Sequence, residues 1–367
     1  MRVLLLVDSL PNGGAERQMA LLATSLPAGW QGRVCALGGG PFEAHLRAKR
    51  IPVEVHRRRF RLDPLPAAGL WRSILAYRPD VVHSWSWIST LVAGPVCRVL
   101  RVPLIDASMQ TGALVRPEHT WLKRIGMAGA TTVVANTHAG LQALGVRPAR
   151  GRVVYNGFDR SRFAADATAK NLQEAPTVDP EGVFTVVMVG RMVPARDFSL
   201  VITAARILRS EGHPYRFLLI GHGPERAQLM VEAADLVVDG VVAFPAVPFG
   251  MEVLDYVRQA QAGVLMANPE WAQEGLSNAI MEYMVCGLPV VCGEGGGNRE
   301  LVEDGKTGFV IAPADPQALA QRIAYLREHE AERRAMGAAG HRRIVETFSL
   351  QRMVTDYIRI YEEALSA

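Results

Sequence analysis

A chain of 367 residues, 49% hydrophobic and 21% charged, is long for one core and has the composition of two ordinary soluble domains rather than a disordered or fibrous protein. Its four cysteines, Cys35, Cys97, Cys286 and Cys292, form no C-x-x-C pair, which argues against a disulfide framework or a cysteine zinc site and fits a reducing compartment. The net charge of +4 divides unevenly, with 22 Lys and Arg against 9 Asp and Glu in residues 1–165 and 18 against 27 in residues 166–367.

The apolar run from Met1 to Val7 is short and closed by Asp8, with no small-residue cleavage site after it, so it reads as a first strand and not a signal peptide. The uncharged run from Val81 to Cys97 is interrupted by His83, Ser84, Ser86, Ser89 and Thr90, and reads as a buried strand plus a helix, not a membrane span. After the first strand come Gly13 and Gly14 and an amphipathic helix over Gln18–Ser25. Strand, glycine turn and helix open a nucleotide-binding α/β unit, with Gly13 and Gly14 allowing close approach to a ligand. The turn is not G-x-G-x-x-G, which leaves a dinucleotide site poorly supported.

Strands are then expected at Arg33–Leu37, Val53–Val55, Asp80–His83, Pro103–Asp106, Thr131–Ala135 and Val153–Tyr155, alternating with helices. This alternation predicts a mostly parallel sheet covered on both faces. Polar residues follow the strand ends at His83, at Asp106 to Gln110 including Ser108, and at Asn136 to His138, the edge where open α/β sheets bind ligands. Residues 166–182 have no periodicity and read as a linker between domains at 1–165 and 183–349. In the second series, strands are expected at Phe184–Val189, Arg216–Ile220, Val237–Ala243, Gly263–Met266, Pro289–Cys292 and Phe309–Ile311. A terminal helix falls within 350–367, and its return to the first domain is one option.

Three stretches of the second half carry chemistry. Arg191 and Arg196 bracket a strand-to-helix loop, which suits a diphosphate. Gly221 and Gly223 end another strand. Glu274, Gly275, Leu276, Ser277, Asn278 and Glu282 pass from a loop into a helix whose free N–H groups favour an anion. By spacing alone the last stretch reads equally as a capped helix with a solvated Glu282.

Taken together, Gly13 to Arg17, Val154 to Asp159, Gly190 to Arg196, Glu274 to Glu282, Cys286 to Val291 and Gly296 to Val302 resemble the family 4 glycosyltransferases, over nearly the whole chain. The resemblance implies the GT-B fold, with two facing Rossmann-like α/β domains and a donor site in the cleft. It implies a retaining enzyme that takes a nucleotide-diphosphate sugar; the expected donor is a UDP-sugar, with GDP-mannose next. The acceptor it implies is a glycan or lipid-linked molecule in cell-surface polysaccharide or glycolipid synthesis. In this scheme Arg191 and Arg196 hold the diphosphate, Glu274 the donor sugar near the reacting carbon and Glu282 the ribose. The amides after Gly275 face sugar and phosphates, and Gly13 and Gly14 close on the diphosphate.

Two departures stand out. Arg196 replaces the family's usual Lys, and no histidine follows Asp106, which leaves His83, Ser108 and His138 as candidates on the acceptor side. No Asp-x-Asp occurs, in keeping with a reaction that needs neither metal nor cofactor. The expected location is cytoplasmic, with the basic first half against an anionic inner-membrane surface; a merely solvated basic surface explains the charge equally well. Nucleic acid is not expected as a partner. Alternatives are a sugar-nucleotide epimerase, a phosphorylase, or a sugar-nucleotide-binding protein without catalysis.

Overall fold

A computed structural model of the chain describes residues 1–10, 14–57, 63–109, 120–159, 182–246, 252–268 and 275–366. It divides into two compact units, Met1–Asp159 with Ser349–Ala367, and Arg160–Phe348. The segment read as a linker lies almost wholly outside the described residues.

In the first unit the described strands are β1 (Arg2–Val7), β2 (Gln31–Ala36), β3 (Val53–Val55), β4 (Val81–Ser84), β5 (Leu104–Met109), β6 (Thr132–Ala135) and β7 (Gly151–Val153). They form one sheet, ordered β3-β2-β1-β4-β5-β6-β7, and every pair is parallel. Between them run α1 (Gly14–Thr24), α2 (Phe42–Ala48), α3 (Leu65–Tyr77), α4 (Trp87–Leu100), α5 (Thr120–Gly129) and α6 (His138–Leu144). Side-chain oxygens start two of these helices: Ser86 accepts from Ser89 N at 3.2 Å, and Thr137 accepts from Gly140 N at 2.9 Å.

Alternation along β1 sets the two faces of the sheet. Leu4 and Leu6 enter a core with Leu70, Ile74, Ala93, Cys97 and Met127 from α3, α4 and α5. Val3, Leu5 and Val7 enter the opposite core with Met19 and Leu22 of α1.

The second unit contains β8 (Phe184–Val189), α7 (Phe198–Ser210), β9 (Tyr215–Ile220), α8 (Arg226–Glu232), α9 (Ala234–Val238), β10 (Val242–Ala243), α10 (Glu252–Gln259) and β11 (Ala262–Leu265). It continues with α11 (Asn278–Val285), β12 (Val290–Gly293), α12 (Asn298–Leu301), β13 (Gly308–Ile311), α13 (Pro316–Glu328) and α14 (Glu330–Thr347). Its sheet is ordered β10-β9-β8-β11-β12-β13, again all parallel.

The last helix, α15 (Leu350–Ser366), belongs to the first unit. Its Met353, Val354, Tyr357, Ile360 and Tyr361 are buried in the core beside Leu5 and Val7. Five such side chains contribute on the order of 10 kcal/mol of gross transfer free energy. A second tie comes from Gln18 of α1, whose side chain donates to Gly157 O at 3.1 Å and accepts from Gly157 N at 2.9 Å. Any Cβ on Gly157 would lie 2.9 Å from Leu350 Cα, so α15 seats directly on that turn.

Two elements differ from the sequence reading, and a third, α14, has no counterpart in it. The strand expected over 237–243 is the helix α9 followed by a two-residue β10, with Val237 and Val238 exposed. The strand expected at Val153–Tyr155 is centred earlier, at Gly151–Val153. Helix α14 buries Met336, Gly337, Gly340 and Ile344 on one face and approaches its neighbour through glycine: a Cβ on Gly337 would meet Gly287 O at 1.9 Å.

Candidate active site

In an open parallel sheet, ligands bind beyond the strand carboxyl ends where the strand order reverses. In the second unit that point lies between β8 and β11. The loops leaving β8, β9 and β11 meet there through backbone hydrogen bonds. Gly190 N donates to Ile220 O at 3.0 Å and Met192 N to His222 O at 2.9 Å. Asp197 N donates to Met266 O at 3.1 Å, and Asn268 N to Ala195 O at 3.2 Å.

Gly221 and Gly223 make this packing feasible. A Cβ on Gly221 would sit 1.8 Å from Gly190 O, and one on Gly223 2.2 Å from Met192 O. The backbone that approaches these glycines is the protein's own.

The two arginines occupy different environments on the loop after β8. Arg191 is exposed and has no ion-pair partner among the described residues. Arg196 is half-buried and lies along Gly190, where a Cβ would stand 3.7 Å from its Cδ and Nε. Asp197, at the loop's end, caps α7 by accepting from Leu200 N at 3.0 Å. Burial first, and then the nearby Asp197 carboxylate, raise the Glu225 carboxyl above the usual carboxylate range.

Helix α11 starts at the same edge. Ser277 is its cap and accepts from Ile280 N at 3.4 Å, with Gly275 and Leu276 buried just before it. Asn278 is half-buried in the first turn. Glu282 is 8% exposed, so the helix is capped as expected but its glutamate is not solvated.

Sequence reasoning missed Tyr283. Its hydroxyl accepts from Val189 N at 2.6 Å and ties α11 to the last residue of β8. The ring lies on Gly263 of β11, where a Cβ would meet Tyr283 Cδ2 at 2.4 Å. A glycine inside a buried strand was the available signal for that approach. Burial raises the phenol above its ordinary value, the Val189 amide opposes it, and Glu282 and Arg196 both act on it electrostatically. Asn298 braces the neighbouring loop after β12, donating to Gly293 O at 2.9 Å. Glu274 and Gly13 lie outside the described residues, and so does Gln110.

In the first unit Gly14 is the exposed first residue of α1. His83 is completely buried. Its Nδ1 lies 2.6 Å from the Tyr361 hydroxyl, and its ring contacts Trp85 and Tyr357 with centroids 4.9 Å away. Burial pushes the imidazole down to about 3 and holds it neutral. It is a core residue and not an acid or base open to substrate. Ser108 is half-buried at the end of β5 beside Asp106, which accepts from Ser108 N and Thr90 Oγ1, each at 3.0 Å. His138 is exposed at the start of α6, with Tyr155 edge-on at 6.1 Å.

Metal-ligand atoms gather once among the described residues, at Cys35, Glu54 and His56, within 4.8 Å of one another. Ser73 already links them: its hydroxyl is 2.8 Å from His56 Nε2 and donates to Glu54 Oε2 at 2.6 Å. Arg33 pairs with the other Glu54 oxygen at 2.5 Å. The network therefore closes on hydrogen bonds and a guanidinium, with the Cys35 thiol pushed by burial up to about 12.

Two family descriptions cover most of the chain: "Glycosyltransferase Family 4" matches residues 12–162, and "Glycosyl transferases group 1" matches residues 170–343. A D-inositol 3-phosphate glycosyltransferase of Frankia alni is 29% identical over 89% of this chain and 83% of its own length. One from Geodermatophilus obscurus is 30% identical over 89% of this chain and 75% of its own length. The crystal structure of Anabaena Alr3699/HepE with UDP-glucose matches with a TM-score of 0.80, 21% identity, and 99% and 100% of the two chains covered. The two all-parallel sheets and this likeness give the GT-B fold that the sequence resemblance implied. The chain thus belongs to the group 1, family 4 glycosyltransferases.

Proposed function

We propose that this glycosyltransferase is a retaining enzyme that moves a sugar from a UDP-sugar, with GDP-mannose as the second choice, to a glycan or lipid-linked acceptor in cell-surface polysaccharide or glycolipid synthesis. The observation that carries this reading is the convergence of the β8, β9 and β11 loops with Arg191, Arg196 and the start of α11 at one sheet edge. Permanent cations and free helix N–H groups at one sheet edge suit a diphosphate that gains charge as it leaves. They take the electrostatic part that a divalent ion takes elsewhere, so we propose a metal-independent reaction.

Glu282 is buried one turn into α11, and we assign it the ribose hydroxyls. Glu274 takes the donor sugar's hydroxyls, and Gly13, Gly14 and the amides after Gly275 take the phosphates. In the reaction the bond from the anomeric carbon to the diphosphate oxygen breaks, and a bond to the acceptor oxygen forms on the same face. With His83 sealed in the core, the acceptor's proton passes to the departing diphosphate oxygen, while Ser108 and His138 position the acceptor. The basic first unit would rest on an anionic membrane surface that carries a lipid-linked acceptor. No described helix is long and apolar enough to cross a membrane.

A panel of nucleotide sugars tested by thermal shift identifies the donor, because a ligand bound to the native state raises apparent stability by mass action. NMR of the product with that donor should show the donor's own anomeric configuration, and turnover should survive EDTA. An inverted product removes the retaining assignment. A donor consumed without acceptor, to a free epimer, points instead to the epimerase alternative.

A further inference from the structure

At the opposite, amino-terminal edge of the first sheet, an open cavity of about 570 Å³ lies among α5, β6 and the connection from α6 to β7. Its apolar lining includes Met127, Leu144 and Val146, and its charged lining is Arg124, Arg147 and Arg150. None of the described residues that line it is acidic. Arg150 is committed to the end of α5: it donates to Met127 O at 2.8 Å, to Ala128 O at 3.3 Å and to Ala130 O. It therefore neutralises the carbonyls that would repel an anion there. Arg124 and Arg147 are exposed and have no hydrogen-bond or ion-pair partner for their side chains among the described residues.

The outward face of α5 runs into the same cavity. Trp121, Arg124, Ile125 and Ala128 share one stripe at three- and four-residue spacing, and all are exposed. Trp121 is 60% and Ile125 is 52% exposed, on the side of the helix that water should face. Large apolar side chains interleaved with unpaired guanidiniums match the boundary between lipid headgroups and acyl chains, where each group finds its own layer.

We infer that this cavity and the outward face of α5 form a docking surface for an anionic phospholipid bilayer. A lipid phosphate sits between Arg124 and Arg147, and Trp121 and Ile125 enter the acyl boundary. The inference gives residues to the membrane association proposed above. Its test needs no sugar donor, so it stands or fails separately from the transferase reading.

The test is flotation of the full chain with vesicles of phosphatidylglycerol in phosphatidylcholine, against vesicles of phosphatidylcholine alone. The wild type should float with the first and not the second. R124Q/R147Q should lower the partition coefficient by about tenfold or more. W121S/I125S should lower it by a similar factor and abolish the vesicle-induced blue shift of tryptophan emission. The four positions are exposed, and an unchanged thermal transition in each variant shows that folding is intact. R216Q/R359Q, equal in charge removed, should float like the wild type. The inference is overturned if the wild type ignores anionic vesicles or if the control pair loses as much as R124Q/R147Q. Binding of soluble glycerol phosphate without flotation overturns it as well.

Discussion

The Tyr283 hydroxyl accepts the amide hydrogen of Val189 at 2.6 Å, so the helix that carries Glu282 is fastened to the strand that leads to Arg191. Tyr283→Phe keeps the ring on Gly263 and leaves that amide unpaired, at a cost of about 1–2 kcal/mol. Urea unfolding should record the loss. Donor affinity should also fall, because α11 and the β8 loop lose their shared reference point.

Gly221 and Gly223 allow no side chain. Gly221→Ala places a methyl group inside the van der Waals radius of Gly190 O and should cost about 3 kcal/mol or displace the loop. Gly212→Ala serves as a control: its φ of +79° strains alanine, but nothing lies within 4 Å of the added carbon. If the two variants unfold at the same denaturant concentration, the backbone contact is not what demands glycine at 221.

The arginines should separate by geometry. Arg196 lies along Gly190, so Arg196→Lys keeps the charge and loses the planar fork. We expect it to retain more activity than Arg196→Ala, for which kcat/KM should drop by about a hundredfold or more. Arg191→Ala should act chiefly on donor affinity, read by nucleotide titration. Equal activity of Arg196→Ala and wild type removes Arg196 from the site.

His83 predicts an acid sensitivity. Its folded value is about 3 and its ordinary value 6.5, so between those limits the unfolded chain binds a proton that the folded chain does not. Stability from this group is complete above 6.5 and is lost as pH falls, with a slope on the order of 1.4 kcal/mol per pH unit. His83→Gln should flatten the dependence of the denaturation midpoint between pH 6.5 and 4.5, roughly the upper part of that window. An unchanged slope in the variant would falsify the assignment to His83.

Gln18 bonds both polar groups of Gly157, so Gln18→Leu leaves the buried Gly157 C=O unsatisfied and its N–H with only the Met353 sulfur at 3.2 Å. The expected cost is about 1–3 kcal/mol. Hydrogen exchange should show α1 and the first turn of α15 opening together.

The strands of both sheets were legible because their apolar runs are short and are followed by helical periodicity. The Ser277 cap and the Arg191–Arg196 loop were legible for the same local reason. Features that depend on distant residues were not. His83 stands at a strand end like a ligand residue, but Tyr361, 278 positions later, closes over it. Tyr283 acquires its role only from the missing side chain of Gly263. Val237 and Val238 suggested a strand, yet both are exposed on a helix where branched side chains meet no partner. In α14 the buried face holds Arg333 and two glycines beside Met336 and Ile344, which blurs its hydrophobic period.

Helix α15 has a consequence for synthesis. The second unit is one continuous stretch and can fold as the ribosome releases it. The first unit begins earlier but cannot complete its core until Met353, Val354, Tyr357, Ile360 and Tyr361 emerge. The order of maturation is therefore the reverse of the order of translation. Until Leu350–Ser366 arrives, the face of β1 that carries Val3, Leu5 and Val7 is covered only in part, by Met19 and Leu22 of α1, and a nascent chain stalled before residue 350 offers the remainder to chaperones.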